Sequence, residues 1–355
     1  MIFNYKIKLK MEEINNLLDN LVVNNNKNIK NNKIEIKKFE DIDVSTITVI
    51  SVSNIIINLN NLYKYLPITD YVMIPKKRGR KKKVQYVNPN IDIPVGSIIF
   101  IKYKNFNRGV ILKKSKSKDK TNYFLNSVTV GVMLENEKII NIKITSNGKF
   151  QITGCKLDKH VISCITYLFH HIVYTQEYFN EKIYELNADE INPKFIFNTV
   201  MRNKDFKIDF DINIQKLDEI IYTQEDFISL YENDSKSTCI NIKYPLNKKY
   251  YDTLDCITFD INSLKNFIPF KIKSNKFFIN YKPELTKVDF NDYLKYETVN
   301  KYKQCKKVKE KFHTFLVFQS GAVLQSGCGP EMEEIYNKFI NMIVNNRNKI
   351  EEIIE

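Results

Sequence analysis

The chain has no tryptophan, only nine glycines and nine prolines in 355 residues, and six cysteines without a CxxC pair among them. Thiols scattered in this way argue against a disulfide framework and for reduced cysteines inside a cell. No stretch approaches the ~20 consecutive apolar residues of a membrane-spanning helix, so no span is expected. The opening MIFNYKIKLKMEE lacks the apolar centre of a signal peptide. Catalytic signatures are missing as well. There is no GxxxxGKS/T, HExxH or GxSxG, and His313 stands alone in a strand pattern. The sequence therefore reads as non-enzymatic, with no cofactor and no small-molecule substrate.

Two constellations come near to chemistry without reaching it. Asp209 and Asp211 fall on one face of an expected strand and could hold a divalent cation as nucleases do, but no further acids are in register. Cys155, His160 and Cys164 invite a metal reading, with His160 and Cys164 at i, i+4 on a helix and His170 or His171 as a fourth ligand. Buried thiols beneath a helix are the plainer alternative.

Lysine, asparagine and isoleucine are abundant. With 55 Lys+Arg against 41 Asp+Glu, the formal charge of +14 favours a polyanionic partner, nucleic acid above all. An AT-rich coding sequence would produce the same composition without any functional meaning. Charge is densest in PKKRGRKKKVQ (Pro75 to Gln85) and LKKSKSKDKTN (Leu112 to Asn122). In the first, Arg78, Gly79 and Arg80 are similar to an AT-hook core, which lies along a narrow A/T minor groove. The flanking prolines are missing, so a localisation signal or a solvated loop is the plainer alternative.

The few glycines are not scattered. Gly148 and Gly154 in TSNGKFQITGC match Gly321 and Gly327 in FQSGAVLQSGC, each frame closing on a cysteine and the two lying 173 positions apart. Four of nine glycines in matched frames imply an internal duplication. Alternating strand patterns precede each frame (Ile140, Ile142, Ile144; Phe315, Val317), and helix patterns follow. The first helix carries Val161, Ile165, Leu168, Phe169 and Ile172 as its stripe, with Asp158 as cap. The second carries Met332, Ile335, Phe339 and Ile343 behind Pro330. INLNNLYKYL (Ile57 to Leu66) matches INIQKLDEII (Ile212 to Ile221), each after an extended run; IFIKY (Ile99 to Tyr103) and INIKY (Ile240 to Tyr244) give a weaker echo. The expected layout is an N-terminal extension and polar tether at 1–39, a first repeat at 40–176 with basic insertions, and a connector at 177–194. A second repeat at 195–345 with a large insertion at about 246–308 follows, then a tail at 346–355. The insertion contains KSNKFFINYK, whose interleaved aromatics and lysines suit either nucleotide stacking or a half-buried strand.

Period-two alternation separates the sheet faces. If Ile142, Ile144, Phe150 and Ile152 face the helices, with a turn centred near Asn147, the other face shows Asn141, Lys143, Thr145, Lys149, Gln151 and Thr153. The same register in the second repeat turns Val317 and Val323 to the helices. Thr314, Leu316, Phe318, Leu324 and Ser326 are then left on the other side. The first of these open faces is polar and the second apolar, and an apolar face has to meet something.

The repeated order of strand, helix, strands, glycine turn and long helix resembles the TATA-box-binding protein and its relatives in large nucleocytoplasmic DNA viruses. HTFLVFQSGAVLQSG and NIKITSNGKFQITGCK carry the likeness. The resemblance implies an α+β fold of two pseudo-symmetric repeats, a curved antiparallel saddle of about ten strands with helices on its convex side. It implies a transcription initiation factor that binds AT-rich promoter duplex through the concave face. Transcription initiation proteins or RNA polymerase would be its protein partners, in a viral factory, a virion or a host nucleus. By that resemblance the DNA-binding residues are Lys143, Thr145, Lys149, Gln151, Thr153, Asn198, Leu316, Phe318, Leu324 and Ser326. Among them Phe318 holds a wedge position, Leu316 and Leu324 line the groove, Thr153 and Ser326 supply hydroxyls, and Asn198 reads base acceptors. Ile42 stands where the first repeat would match Asn198, and Thr145 stands where it would match Phe318. Ser235 or Lys301 falls near an outer wedge position. These departures keep a second reading open, a protein-interaction scaffold of the same fold that has lost groove binding.

Overall fold

The β-branched and aromatic runs of this chain pair into one large antiparallel sheet and one two-stranded sheet, and the long helices that follow the glycine frames cover one face of the large sheet. The computed structural model describes residues 36–73, 89–111, 125–135, 138–187, 190–231, 238–246, 253–266, 281–297 and 311–352. Arg78, Gly79, Arg80, the second basic loop, Ser235, Lys301, residues 1–35 and most of KSNKFFINYK lie outside them.

The first half runs β1 (Val44–Ser53), β2 (Ile55–Ile57), α1 (Leu59–Tyr65), β3 (Ile98–Tyr103), β4 (Phe106–Gly109), β5 (Ser127–Met133), β6 (Ile139–Thr145), β7 (Lys149–Cys155) and α2 (Asp158–Phe179). After β8 (Tyr184–Leu186), which pairs with β2, the second half runs β9 (Lys194–Lys207), α3 (Ile214–Tyr222), β10 (Ile228–Leu230) and β11 (Cys239–Pro245). An insertion then adds β12 (Thr253–Thr258), α4 (Ile261–Asn266), β13 (Glu284–Asp289) and α5 (Phe290–Glu297). The half closes with β14 (Phe312–Phe318), β15 (Ala322–Gly327), α6 (Met332–Asn345) and α7 (Arg347–Ile350).

Strand order shows the duplication directly. β1 and β9 pair at the centre, and outward from them the two halves read β1-β7-β6-β5-β3 and β9-β15-β14-β11-β10. The sheet has thirteen strands among the described residues; β4, β12 and β13 are additions to the ten of the two repeats. The fold is α+β, as expected. The echo between IFIKY and INIKY does not survive, because the first lies in β3 and the second in β11, whose counterpart is β5. Lysine and isoleucine are common enough here to match by chance.

Local hydrogen bonds repeat too. Asn58 caps α1, its Oδ1 accepting from the Asn61 amide at 3.1 Å, and Asn213 caps α3 by accepting from the Lys216 amide at 3.0 Å. The Ile57 amide donates to the Ser146 carbonyl at 2.8 Å, and the Ile212 amide to the Gln319 carbonyl at 2.7 Å. These bonds dock each glycine turn onto the start of the first helix in its own repeat. Gly148 and Gly321 sit there at φ of 69° and 74°. A Cβ would come within 2.2 Å of the Ile55 carbonyl oxygen in one and 2.4 Å of the Ile208 carbonyl oxygen in the other, so only glycine fits.

The helix stripes read from the sequence are all buried against the sheet. In the second repeat the rings of Phe315 and Phe339 stack with centroids 4.1 Å apart; in the first, Phe169 meets Phe195 edge-on at 5.2 Å. Two local expectations are corrected. Leu157 takes the cap position of α2, while Asp158 opens the helix and accepts a hydrogen bond from Arg202 at 2.7 Å. Asp209 and Asp211 lie beyond the end of β9, in the bend that leads to α3, and do not share a strand face.

Candidate nucleic-acid interface

Register fixes which side chains share the open face. Ile144 pairs with Phe150 and Val317 with Val323, all four buried on the helix side. The alternate pairs Lys143 with Gln151, Leu316 with Leu324 and Thr314 with Ser326 therefore lie together on the other side. Lys143, Thr145, Lys149, Gln151, Thr153, Leu316, Phe318, Leu324 and Ser326 are all half-buried there. Thr145 and Phe318 hold equivalent places, the first opposite Ser127 and the second opposite Cys239.

Pairing across strands brings in residues that the sequence alone does not place. Asn241 of β11 lies beside Leu316 and Lys243 beside Thr314; Asp205 of β9 lies beside Leu324 and Asn203 beside Ser326. Alternation within β9 and β11 carries that signal, but using it requires knowledge of the neighbouring strand. The second repeat thus presents an apolar centre of Leu316, Phe318 and Leu324 bordered by amides and a lysine. The Oδ1 atoms of Asn203 and Asn241 have no hydrogen-bond partner among the described residues. Asp205, an exposed carboxylate, ends the row that runs through Asn241, Leu316 and Leu324.

The first-repeat face is narrower than expected. At its outer end Phe100 lies across Gly131, where a Cβ would come within 2.1 Å of the ring, and packs with Met133, Ile139, Tyr71 and Ile93. Toward the centre, the insertion folds over it. β12 pairs with the N-terminal half of β9 while β15 pairs with the C-terminal half, and α5 lies against the open face. Asn198 is on the expected face, opposite Ile50, but is 6% exposed and lies close to the Tyr293 hydroxyl. Burial raises the pKa of that tyrosine well above the usual range. The Lys149 Nζ donates to Glu297 Oε1 at 3.2 Å. Ile42, expected as the counterpart of Asn198, lies just before β1 and is buried, its carbonyl accepting from Lys204 Nζ at 2.6 Å.

The metal alternative finds no support in the geometry. Cys155 and Cys164 are both buried as neighbours, and the Cys155 sulfur together with desolvation holds the Cys164 thiol well above its ordinary pKa. The His171 ring is tied through Nε2 to the Gly96 carbonyl at 3.0 Å. Among the described residues no three His, Cys, Asp or Glu side chains gather as a metal site, and no helix is long and apolar enough to cross a membrane.

No family model matches the chain. It is 28% identical over 190 residues to a protein of Acanthamoeba polyphaga mimivirus described as TATA-box-binding protein-like, an overlap of 47% of this chain and 51% of that protein. It is 24% identical over 229 residues to uncharacterized protein 335L of Invertebrate iridescent virus 6, covering 62% of this chain and 60% of that one. The chain thus spans between 51% and 60% of the length of these curated relatives. Among solved structures, Methanococcus jannaschii TBP overlaps 86% of this chain and 98% of its own at 12% identity, with a TM-score of 0.36.

Proposed function

We propose that this chain, which is similar to a mimivirus protein described as TATA-box-binding protein-like, is a transcription initiation factor. In this reading it holds AT-rich promoter duplex against the open sheet face and recruits transcription proteins to it. The observation that carries the reading is the second-repeat face, where Leu316, Phe318 and Leu324 form an apolar strip bordered by Thr314, Ser326, Asn203, Asn241 and Lys243. Apolar side chains of this kind fill a minor groove and wedge between base steps, and amide and hydroxyl donors suit the adenine N3 and thymine O2 acceptors on its floor. Thr145 and Ser127 replace Phe318 and Cys239 in the first repeat, so unstacking is expected at one end of the site only.

A gel-shift series with AT-rich and GC-rich duplexes between ~50 and ~200 mM salt tests this. The AT-rich duplex should bind more tightly, and affinity should fall by orders of magnitude across that range as lysines release counterions from several phosphates. Affinity indifferent to both base composition and salt would sink the reading. The scaffold alternative draws on Asp205, a carboxylate where a duplex would bring negative charge, and on the covered first-repeat face. It would stand if no duplex is shifted even at ~50 mM salt, where phosphate contacts are strongest.

A further inference from the structure

Val52 of β1 and Ile196 of β9 lie paired on the open face, and Leu254 and Cys256 of β12 and Tyr293 of α5 close over them. All five are at most 4% exposed. Polar groups of α5 tie it to the sheet and to the segment leading into β9: Glu297 holds Lys149, the Tyr293 hydroxyl lies by Asn198, and the Tyr296 hydroxyl donates to Glu190 Oε1 at 2.8 Å. Lys149 and Asn198 are both side chains that the duplex reading needs. A lysine held by a carboxylate does not at the same time neutralise a phosphate, and an amide beneath a tyrosine does not reach a base.

We infer that α5 is a built-in competitor of duplex DNA, an aromatic and acidic cover that has to leave the sheet before the first repeat can engage. The inference rests on the duplex-binding reading above. Only part of the insertion needs to move. β12 is bound to β9 through a continuous ladder from Asp255 opposite Phe197 to Thr258 opposite Lys194, whereas the bonds from α5 to the rest of the sheet run through side chains. A site that is open in a fraction of molecules binds with its affinity reduced by that fraction. A cover closed in nine molecules of ten thus weakens binding about tenfold.

The test titrates AT-rich duplex against the full chain and three variants, Tyr293→Ala, Glu297→Gln and Glu284→Gln. Tyr293→Ala should tighten binding by about tenfold, and Glu297→Gln by a few-fold because an exposed ion pair holds little. Glu284→Gln makes the same charge change at an exposed position on β13 and should do less than Glu297→Gln. If Tyr293→Ala does not fold, Glu297→Gln against Glu284→Gln decides alone, since the Lys149–Glu297 pair is 37% and 38% exposed and its loss leaves the core intact. Wild-type binding that neither Tyr293→Ala nor Glu297→Gln improves overturns the cover and leaves the duplex reading standing. Absence of binding in all four proteins overturns the duplex reading itself.

Discussion

Phe318 and Thr145 end matched strands ahead of matched glycine turns, yet they are committed differently. The Thr145 hydroxyl is taken up by its own turn, donating to the Lys149 carbonyl at 3.1 Å and lying 3.3 Å from the Lys149 amide. Phe318 has no polar atom to commit, and its half-buried ring sits opposite Cys239 at the margin of the apolar strip. Unstacking a base step costs a few kcal/mol and requires an apolar wedge to fill the gap. Phe318→Ala is therefore expected to remove most of any duplex bend and to weaken binding about tenfold or more, on the scale of one lost wedge. Thr145→Ala should change bending little. Energy transfer between duplex ends, with 2-aminopurine at each candidate step, measures both. A bend that persists in Phe318→Ala would put the wedge elsewhere.

At the level of elements, the helix caps are doubled along with the strand order. Each first helix is short and depends on an asparagine cap, Asn58 on α1 and Asn213 on α3. Replacing either by alanine should cost about 1 kcal/mol, because one amide at each helix start loses its acceptor. Urea midpoints of the two variants should drop by similar amounts, and a cap that costs nothing would mean that its helix is held by packing alone. The doubling is legible in the sequence because the stretch from Ile140 to Cys155 and the stretch from His313 to Cys328 align end to end without a gap. The open-face positions of β6, β7, β14 and β15 follow from alternation inside those frames. The insertion is not legible in the same way. Tyr293 meets Val52 and Ile196 across a long stretch of chain, and no local pattern in FNDYLKYE says which sheet face an amphipathic helix will cover. Asn203, Asp205, Asn241 and Lys243 escape for a related reason, since their place on the face depends on strand neighbours distant in sequence.

For the whole molecule, buried histidines shape how stability responds to acid. His171 lies on the buried part of α2 beside His170, and His313 lies on the helix side of β14 near Glu331; burial pushes His171 and His313 each down to about 4. In the unfolded chain both return to about 6.5, so between those values the unfolded state binds more protons and stability falls as pH falls. Each contributes a loss of about 1.4 kcal/mol per pH unit inside that window and nothing above it. Native carboxylates add their own losses only below about pH 4.5, which leaves the upper part of the window to the histidines. The first repeat offers its own replacement, because Ile140 stands where His313 stands, facing Gly154 as His313 faces Gly327. Neither ring nitrogen of His313 has a hydrogen-bond partner among the described residues, so an apolar side chain there forfeits no bond. His313→Ile should raise stability at about pH 5 and reduce the slope of the unfolding free energy between about pH 6 and about pH 4.5 by about 1.4 kcal/mol per pH unit, the share of one such group. Urea unfolding across that range measures the slope, and an unchanged slope would show that His313 finds a proton-accepting partner in the folded state.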